Sequence, residues 1–286
     1  MFITAPAKVN LFLRVLNKRN DGYHSIETIF EKVSLFDEIN VDKIDTETRI
    51  ECDDPSIPVC SDSLIGLTVR LFKEKAGLSD NFAIKLKKNI PSGGGLGGGS
   101  SDAAAILRAM NTITGLKLNK TSLFDVACKL GADVPFFLSN SSFACGRGRG
   151  DIITELGIKR KMWHILVTPP FKILTKDIYG RISPFDLTKD IAPDRMLSTF
   201  LEKKNGVDLE KNLHNDLQPI VLREFPVFKK VFRELGDAGA LGTLLSGSGS
   251  TVFGIFDEED VRHAEEKLLR AFPKEENWRI YVVSTC

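Results

Sequence analysis

Residues 91–105 read PSGGGLGGGSSDAAA, and six of the seven positions from Gly93 to Gly99 are glycine. So many glycines cost backbone entropy, so the run is not a device for stability. It lets the backbone bend sharply and approach a ligand without a Cβ in the way. The Ser-Ser-Asp that follows is typical of a helix N-terminus, and an alanine-rich helical pattern comes next. Unpaired N–H groups and the helix dipole make such a loop an anion site, here for a nucleotide phosphate.

Two common nucleotide-binding motifs fit this stretch less well. The P-loop requires a lysine after its last glycine, and none follows Gly99. Gly93, Gly95 and Gly98 do satisfy the dinucleotide spacing Gly-x-Gly-x-x-Gly. That site also needs a strand ending in an acidic residue about 20 residues further on, whereas residues 122–127 have helical spacing. An NAD-dependent oxidoreductase and a bare flexible linker are therefore the disfavoured alternatives.

The composition is that of a globular protein. The chain has 286 residues, of which 42% are hydrophobic and 27% charged, and this length suits two domains. A net charge of +1 gives no general attraction to nucleic acid or membranes, and no apolar run is long enough to span a bilayer. The N-terminal residues lack a signal peptide's apolar region, and the five cysteines are scattered. We therefore expect a cytoplasmic protein with no nucleic-acid or membrane partner.

Apolar periodicity predicts the elements around the glycine loop. Strands are expected at 9–16, 26–33, 38–41 and 82–87, and a helix at 64–76. Asp21-Gly22 marks a turn after the first strand. Beyond the loop, we expect helices at 103–112 and 121–130, the second with Thr121 as N-cap.

A proline pair, Pro169-Pro170, is the predicted domain boundary, which divides the chain into 1–168 and 169–286. The second part alternates predicted helices with short strands. These helices include Asp194–Lys203 and Leu213–Arg223. The pattern predicts an α+β domain with an antiparallel sheet covered by helices.

Lys8 and Asp133 are charged residues in largely apolar surroundings. For Lys8, an edge-strand lysine exposed to solvent is the structural alternative. For Asp133, the alternative is a cap on a short helix beginning at Pro135. If Lys8 reached Asp133, the opposite charge would favour an ionised carboxylate, which could accept a hydroxyl proton during phosphoryl transfer.

Three further groups could bind a ligand. Tyr23-His24, at a turn, could stack on a heterocycle and hydrogen-bond its edge, or could be an ordinary surface turn. Arg147 and Arg149 could grip phosphates, although a basic hairpin tip is the alternative. A second glycine-rich loop, residues 246–250, could offer amides to a ligand or be a simple hairpin.

Four segments, in their order and spacing, carry a resemblance to a known family. They are residues 6–13 (PAKVNLFL) with 21–24 (DGYH), residues 91–104, residues 130–136 (LGADVPF) and residues 246–249 (SGSG). Together they resemble the 4-diphosphocytidyl-2-C-methyl-D-erythritol kinases. The glycine motif alone indicates only the superfamily of galactose, homoserine, mevalonate and phosphomevalonate (GHMP) kinases, and the other segments narrow it.

The resemblance implies an α+β, two-domain GHMP kinase architecture. The N-terminal domain would be like domain 2 of ribosomal protein S5, the C-terminal domain would be ferredoxin-like, and the active site would lie between them. It implies transfer of the γ-phosphoryl group of ATP to the 2-hydroxyl of the methylerythritol unit, in the non-mevalonate route to isoprenoids. A sibling kinase for homoserine or mevalonate, or a non-catalytic nucleotide-binding module, would be the alternatives.

The resemblance also implies roles for individual residues. Asp133 would be the base and Lys8 its partner, while Asn10 would hold the substrate's polyol. Tyr23 and His24 would hold the cytosine, with Tyr179 as a second stacking face. The resemblance implies Mg2+ on the phosphates of ATP and identifies no protein ligand for the metal. ATP itself would be bound by Pro91, Gly93, Gly94, Gly95, Leu96, Gly97, Gly98, Gly99, Ser100 and Ser101.

Two positions depart from the common pattern, since Asp102 and Ser63 stand where some relatives carry asparagine. The implied partner is a small molecule, a cytidine diphosphate-linked methylerythritol. We expect a monomer or a weak homodimer.

Overall fold

The chain folds into two β-sheets covered by helices. The structure is a computed structural model that describes residues 1–116, 118–183, 187, 212–273 and 276–286. This mixture of helix and sheet confirms the α+β prediction. Within the described ranges, no helix combines the length and the apolar composition needed to cross a membrane.

The strands occur in the following order along the chain: β1 (Phe2–Lys18), β2 (His24–Ile44), β3 (Arg49–Cys52), β4 (Asn81–Lys87), β5 (Phe143–Arg147), β6 (Ile152–Leu156), β7 (Trp163–Thr168), β8 (His214–Asn215), β9 (Gly242–Leu245), β10 (Val252–Phe256) and β11 (Arg279–Ser284). The described helices are α1 (Leu64–Ala76), α2 (Gly98–Ile113), α3 (Lys120–Leu130), α4 (Val134–Leu138), α5 (Thr175–Tyr179), α6 (Gln218–Glu224), α7 (Val227–Asp237) and α8 (Val261–Ala271).

The first sheet has the strand order β3-β4-β2-β1-β8, with β5 pairing to β2 and to β6. Most of its pairs are antiparallel, while β3 and β8 run parallel to their neighbours. The second sheet has the order β11-β7-β10-β9 and is antiparallel throughout, as predicted for the C-terminal part.

The prediction of two separate strands at 26–33 and 38–41 was wrong, because β2 is one long strand. Its pairing with β1 shifts where Pro6 lies opposite Phe36 but Ala7 lies opposite Val33. A bulge of this kind interrupts the alternation of apolar residues without ending the strand. The bulge, rather than a turn, produced the gap in the pattern.

Both helices beyond the glycine loop begin earlier than predicted. Helix α2 begins at Gly98, after Gly97 in a left-handed conformation with φ of 70°, so the Ser-Ser-Asp run lies inside the helix. Helix α3 begins at Lys120, and its N-cap is Asn119 rather than Thr121, because Asn119 accepts the N–H of Ser122 at 2.9 Å. Both residue types cap well, so propensity alone did not separate them.

The predicted helix Leu213–Arg223 was wrong in its first half. His214 and Asn215 form β8, which pairs in parallel with Phe12 and Leu13 of β1. Helix α6 then begins at Gln218, with a proline in its first turn, a position that suits proline. The predicted helix Asp194–Lys203 lies outside the described residues.

An apolar seam joins the two sheets. Val9 and Leu11 of β1 pack in one buried cluster with Leu166 of β7 and Phe253 of β10. The division at residue 169 stays a prediction. Strand β7 precedes this predicted boundary, yet both of its partner strands among the described residues, β10 and β11, belong to the second sheet.

Replacing Phe253 with alanine should destabilise the protein by about 3–5 kcal/mol, because a fully buried ring leaves a cavity between the sheets. Phe2 is 61% exposed, so Phe2→Ala is a matched control that should cost much less. Urea unfolding of both variants measures the difference. Equal losses would contradict the described seam.

Candidate active site

A cleft of about 910 Å3 opens between the two sheets. Of the catalytic, ATP-binding and substrate-binding residues that the resemblance implies, all but Ser101 line it. Ser101 is buried in α2, with 1% of its surface exposed. Segments more than 200 residues apart in the chain thus meet in one cavity, which is the arrangement expected of a ligand site.

The first glycine loop packs directly against the second one, at residues 246–250. Gly95 has φ of 76°, and a Cβ there would lie 2.1 Å from the carbonyl oxygen of Ser246. The Ser246 hydroxyl donates to the Gly95 carbonyl at 3.0 Å, and the Thr251 N–H donates to the Gly94 carbonyl at 3.0 Å. Only glycine fits at position 95, for reasons of both space and backbone conformation.

Lys8 and Asp133 meet in the cleft. Lys8 Nζ lies 3.5 Å from Asp133 Oδ2, and Lys8 is only 4% exposed, so the alternative of a solvated edge lysine was wrong. Lys8 Nζ also donates to Asn10 Oδ1 at 2.6 Å. Asp133 precedes α4, but its side chain makes no capping hydrogen bond among the described residues. Its carboxylate therefore faces Lys8 instead of the helix.

Asn10 is held in one orientation by its neighbours. Its Nδ2 donates to the Thr28 hydroxyl at 2.8 Å, and that hydroxyl donates to the Phe12 carbonyl at 2.6 Å. This chain of donors leaves Asn10 Oδ1 as the acceptor for Lys8. Nothing in the local sequence marks Thr28, which looks like any other strand residue.

Aromatic side chains form one end of the cleft. The rings of His24 and Tyr179 are 5.4 Å apart, and Tyr23 is 57% exposed. Burial lowers the pKa of His24, and Lys18 acts in the same direction. Burial raises the pKa of Tyr179, as do Asp133 and Asp216. Both shifts favour neutral side chains, which suit stacking and hydrogen bonding to an uncharged heterocycle.

The two arginines of the β5–β6 hairpin differ. Arg149 lines the cleft, lies 5.3 Å from the Tyr23 ring centre and pairs with Asp151 at 2.7 Å. Arg147 is 62% exposed and lies 3.7 Å from Glu27. The hairpin-tip interpretation therefore suits Arg147, whereas Arg149 braces the aromatic end.

A buried charge cluster, formed by Asp37, Lys88 and Asp102, lies next to the glycine loop. Lys88 Nζ is 2.5 Å from Asp102 Oδ2 and also contacts Asp37 Oδ2. Burial raises the pKa of Asp102 to about 7 against the opposing effect of Lys88, and Asp37 adds to the rise. Burial acts to lower the pKa of Lys88, but the two carboxylates outweigh it and raise the value. Nothing in the local sequence marks Lys88, because it follows Lys85 and Lys87 in a pattern typical of solvated lysines.

Asn215 is a second missed residue. Its Nδ2 donates to the carbonyls of Leu245 and Gly247, each at 2.8 Å, and its Oδ1 accepts the N–H of Leu217 at 2.9 Å. Asn215 therefore fixes the second glycine loop beside Lys8. No local pattern marks this residue, because the loop carbonyls that it binds lie 30 and 32 residues away.

Ser63 caps α1 through a hydrogen bond from the Gly66 N–H at 3.1 Å, and it lines the cleft. Groups of three or more histidine, cysteine or acidic side chains arranged for a metal are not found in the part of the chain that the structure describes.

Comparison with known proteins identifies the class that this fold and cleft define. Residues 63–141 match the GHMP kinases N terminal domain, and residues 197–274 match the GHMP kinases C terminal domain. A homoserine kinase structure from Cytophaga hutchinsonii, 22% identical, covers 100% of the chain and 94% of its own with a TM-score of 0.75, which shows the shared fold. The chain is an ATP-dependent small-molecule kinase with the GHMP architecture, as predicted.

Two proteins with higher sequence identity to this chain identify the family within this superfamily. The 4-diphosphocytidyl-2-C-methyl-D-erythritol kinase of Syntrophotalea carbinolica is 36% identical over 98% of this chain and 96% of its own length. A crystal structure of 4-(cytidine 5'-diphospho)-2C-methyl-D-erythritol kinase is 33% identical, with a TM-score of 0.83 over 99% of this chain and 98% of that one. This chain belongs to the 4-diphosphocytidyl-2-C-methyl-D-erythritol kinase family.

Gly95→Ala should weaken ATP binding at least tenfold, because the added Cβ collides with the Ser246 carbonyl and forces the two glycine loops apart. Gly157→Ala is the matched control, since an added Cβ there meets no atom within 4 Å and Gly157 lies outside the cleft. Titration calorimetry with ATP compares both with the parent protein. Unchanged affinity in Gly95→Ala would show that the loop contact is not needed for binding.

Proposed function

We propose that this chain transfers the γ-phosphoryl group of ATP to the 2-hydroxyl of 4-diphosphocytidyl-2-C-methyl-D-erythritol, in the non-mevalonate route to isoprenoid precursors. Membership of the kinase family supports this substrate. The observation that carries the proposal is the Lys8–Asp133 pair, which lies in one cleft with the glycine loop and the aromatic end. ATP and an acceptor hydroxyl that belongs to a molecule with a heterocycle could thus meet at the Asp133 carboxylate.

Asp133 acts as the general base in this proposal. Its carboxylate accepts the proton of the acceptor hydroxyl as that oxygen attacks the γ-phosphorus. Lys8, 3.5 Å away, keeps the carboxylate in place and offers a positive charge where negative charge develops. Asn10 orients Lys8 and presents its amide to the substrate's polyol.

The glycine loop binds the phosphates of ATP. Its backbone approaches the second glycine loop so closely that no Cβ fits at Gly95, and it leads into the N-terminus of α2. Amides and a helix dipole at this point favour an anion. The residues proposed to bind ATP are the ten named from the sequence between Pro91 and Ser101, a set that does not include Ser92. Ser101 is buried, so it supports the loop and does not line the cleft.

Mg2+ is proposed on the phosphates alone. The acidic side chains that line the cleft near the loop each contact a lysine, Asp133 through Lys8 and Asp102 through Lys88, and the remaining oxygen of Asp102, Oδ1, is buried. Mg2+ is usually held by one or two carboxylates together with water and substrate phosphates, and neither of these lysine-bound carboxylates fits that role. None of the steps proposed for this chain therefore requires a protein side chain that binds Mg2+.

The aromatic end selects the cytosine. Tyr23 and Tyr179 offer ring faces for stacking, and neutral His24 offers both a donor and an acceptor to the base edge. A kinase for homoserine or mevalonate has no need of such an end, and the family assignment does not favour that alternative. A cytoplasmic location and a monomeric or weakly dimeric state remain part of the proposal.

Asp133→Asn should lower kcat by a factor of about 100 or more, because the amide accepts no proton from the substrate hydroxyl. ATP affinity should stay within about threefold, since Asp133 does not contribute to the phosphate loop. A coupled ADP-release assay and calorimetry measure the two quantities.

Asp125→Asn is the control for loss of a carboxylate, because Asp125 pairs with Lys75 and is 56% exposed. It should leave both quantities unchanged. Near-normal kcat in Asp133→Asn would remove Asp133 from the role of base.

Tyr23→Ala should raise the KM for the cytidine substrate about tenfold or more while leaving the KM for ATP nearly unchanged, because base stacking is lost at only one end of the cleft. Tyr23→Phe keeps the ring and should behave like the parent protein. Equal increases for both substrates would exclude Tyr23 from a cytosine pocket.

A further inference from the structure

The buried charge cluster of Asp37, Lys88 and Asp102 has no part in the proposed reaction. Its side chains are almost inaccessible, with exposed fractions of 0% for Asp37, 5% for Lys88 and 3% for Asp102. When all three are ionised, two carboxylates share one ammonium, so one negative charge remains uncompensated. Lys88 and Asp102 also line the cleft beside the glycine loop.

The two carboxylates are not equivalent. Asp37 Oδ1 accepts the N–H groups of Asn89 at 2.6 Å and Ile90 at 2.9 Å, and its Oδ2 contacts Lys88. Asp102 Oδ2 contacts Lys88, but its Oδ1 is buried and has no hydrogen-bond partner among the described residues. Since hydrogen bonds favour an ionised carboxylate, Asp102 is the acid that is less well supported in that state.

Its surroundings add little compensation. The charged groups that act on Asp102 are Lys88, after β4, and Asp37, on β2. The apolar side chains of Ile90 and Leu64 lie beside Gly98 and Gly99, in the first turn of α2 that precedes Asp102. Elsewhere on the cleft, Lys8 and Asp133 already pair with each other.

An anionic nucleotide at the glycine loop would act on Asp102 from close by, because Asp102 directly follows the first turn of α2. Like charges disfavour the ionised form of a carboxylate, and they do so more strongly where water is excluded. Burial already raises the pKa of Asp102 to about 7, so the phosphates need to raise it only a little further to protonate it near neutral pH.

We propose that Asp102 takes up one proton from solvent when ATP binds, so that the cluster with Lys88 and Asp37 becomes neutral beside the phosphates. The step is a protonation of the carboxylate, for which Oδ1 is the open oxygen, and no bond of ATP forms or breaks. The inference rests on the proposed function only in taking ATP as the ligand of the glycine loop.

Titration calorimetry of the full chain with ATP and excess Mg2+ at pH 7.5, in buffers of different ionisation enthalpy, tests this uptake. If the phosphates raise the pKa of Asp102 from about 7 by about one unit, the slope of observed enthalpy against buffer enthalpy corresponds to an average uptake of about half a proton, because part of the free protein already carries this proton at pH 7.5. Asp102→Asn keeps the shape of the side chain and should lose this part of the slope while still binding ATP. Asp125→Asn, a surface control, should keep it.

A second measurement needs no variant. For the parent protein, the Kd of ATP should rise about threefold between pH 7 and pH 8, because binding linked to proton uptake weakens as protons become scarce. A flat Kd, or equal buffer slopes in the parent and Asp102→Asn, overturns the proton uptake and leaves the kinase proposal standing. Failure of the parent protein to bind ATP at all counts against the proposed function instead.

Discussion

The close packing of Gly95 against the Ser246 carbonyl is the constraint on which the cleft depends. A Cβ at Gly95 would lie 2.1 Å from that oxygen, so the two loops approach until backbone meets backbone. One loop leads into α2 beside the first sheet, and the other connects β9 to β10 of the second sheet. Their contact, together with the apolar cluster that joins the sheets, limits how near the two sheets come and therefore the width of the cleft.

Buried charges are distributed around this contact in separate groups. Lys8 contacts Asp133, and Lys88 contacts Asp37 and Asp102. Buried ions persist only when they are paired or hydrogen-bonded, so each lysine depends on its own partners. Neutral amides provide the positioning: Asn10 holds Lys8, and Asn215 holds the second glycine loop beside it.

Local pattern predicted much of the fold and failed where tertiary contacts overrode it. The helix at 64–76 and the strand at 82–87 followed directly from apolar spacing. The bulge in β2 broke the alternation that sequence reasoning relies on. Strand β8 was mistaken for helix, because its two residues become a strand only through pairing with β1. Such short elements carry no periodicity of their own.

The glycine run, by its own chemistry, was enough to indicate that a phosphate is bound, whereas the cytidine-linked substrate followed only from the resemblance that four segments, in their order and spacing, carry to a known kinase family. Which residues support them was decided only in three dimensions. Lys88 looked solvated and Asn215 looked helical, yet one is buried between two carboxylates and the other holds a loop through carbonyls 30 and 32 residues away. Burial and long-range hydrogen bonds are properties of the folded chain, and no local spacing encodes them.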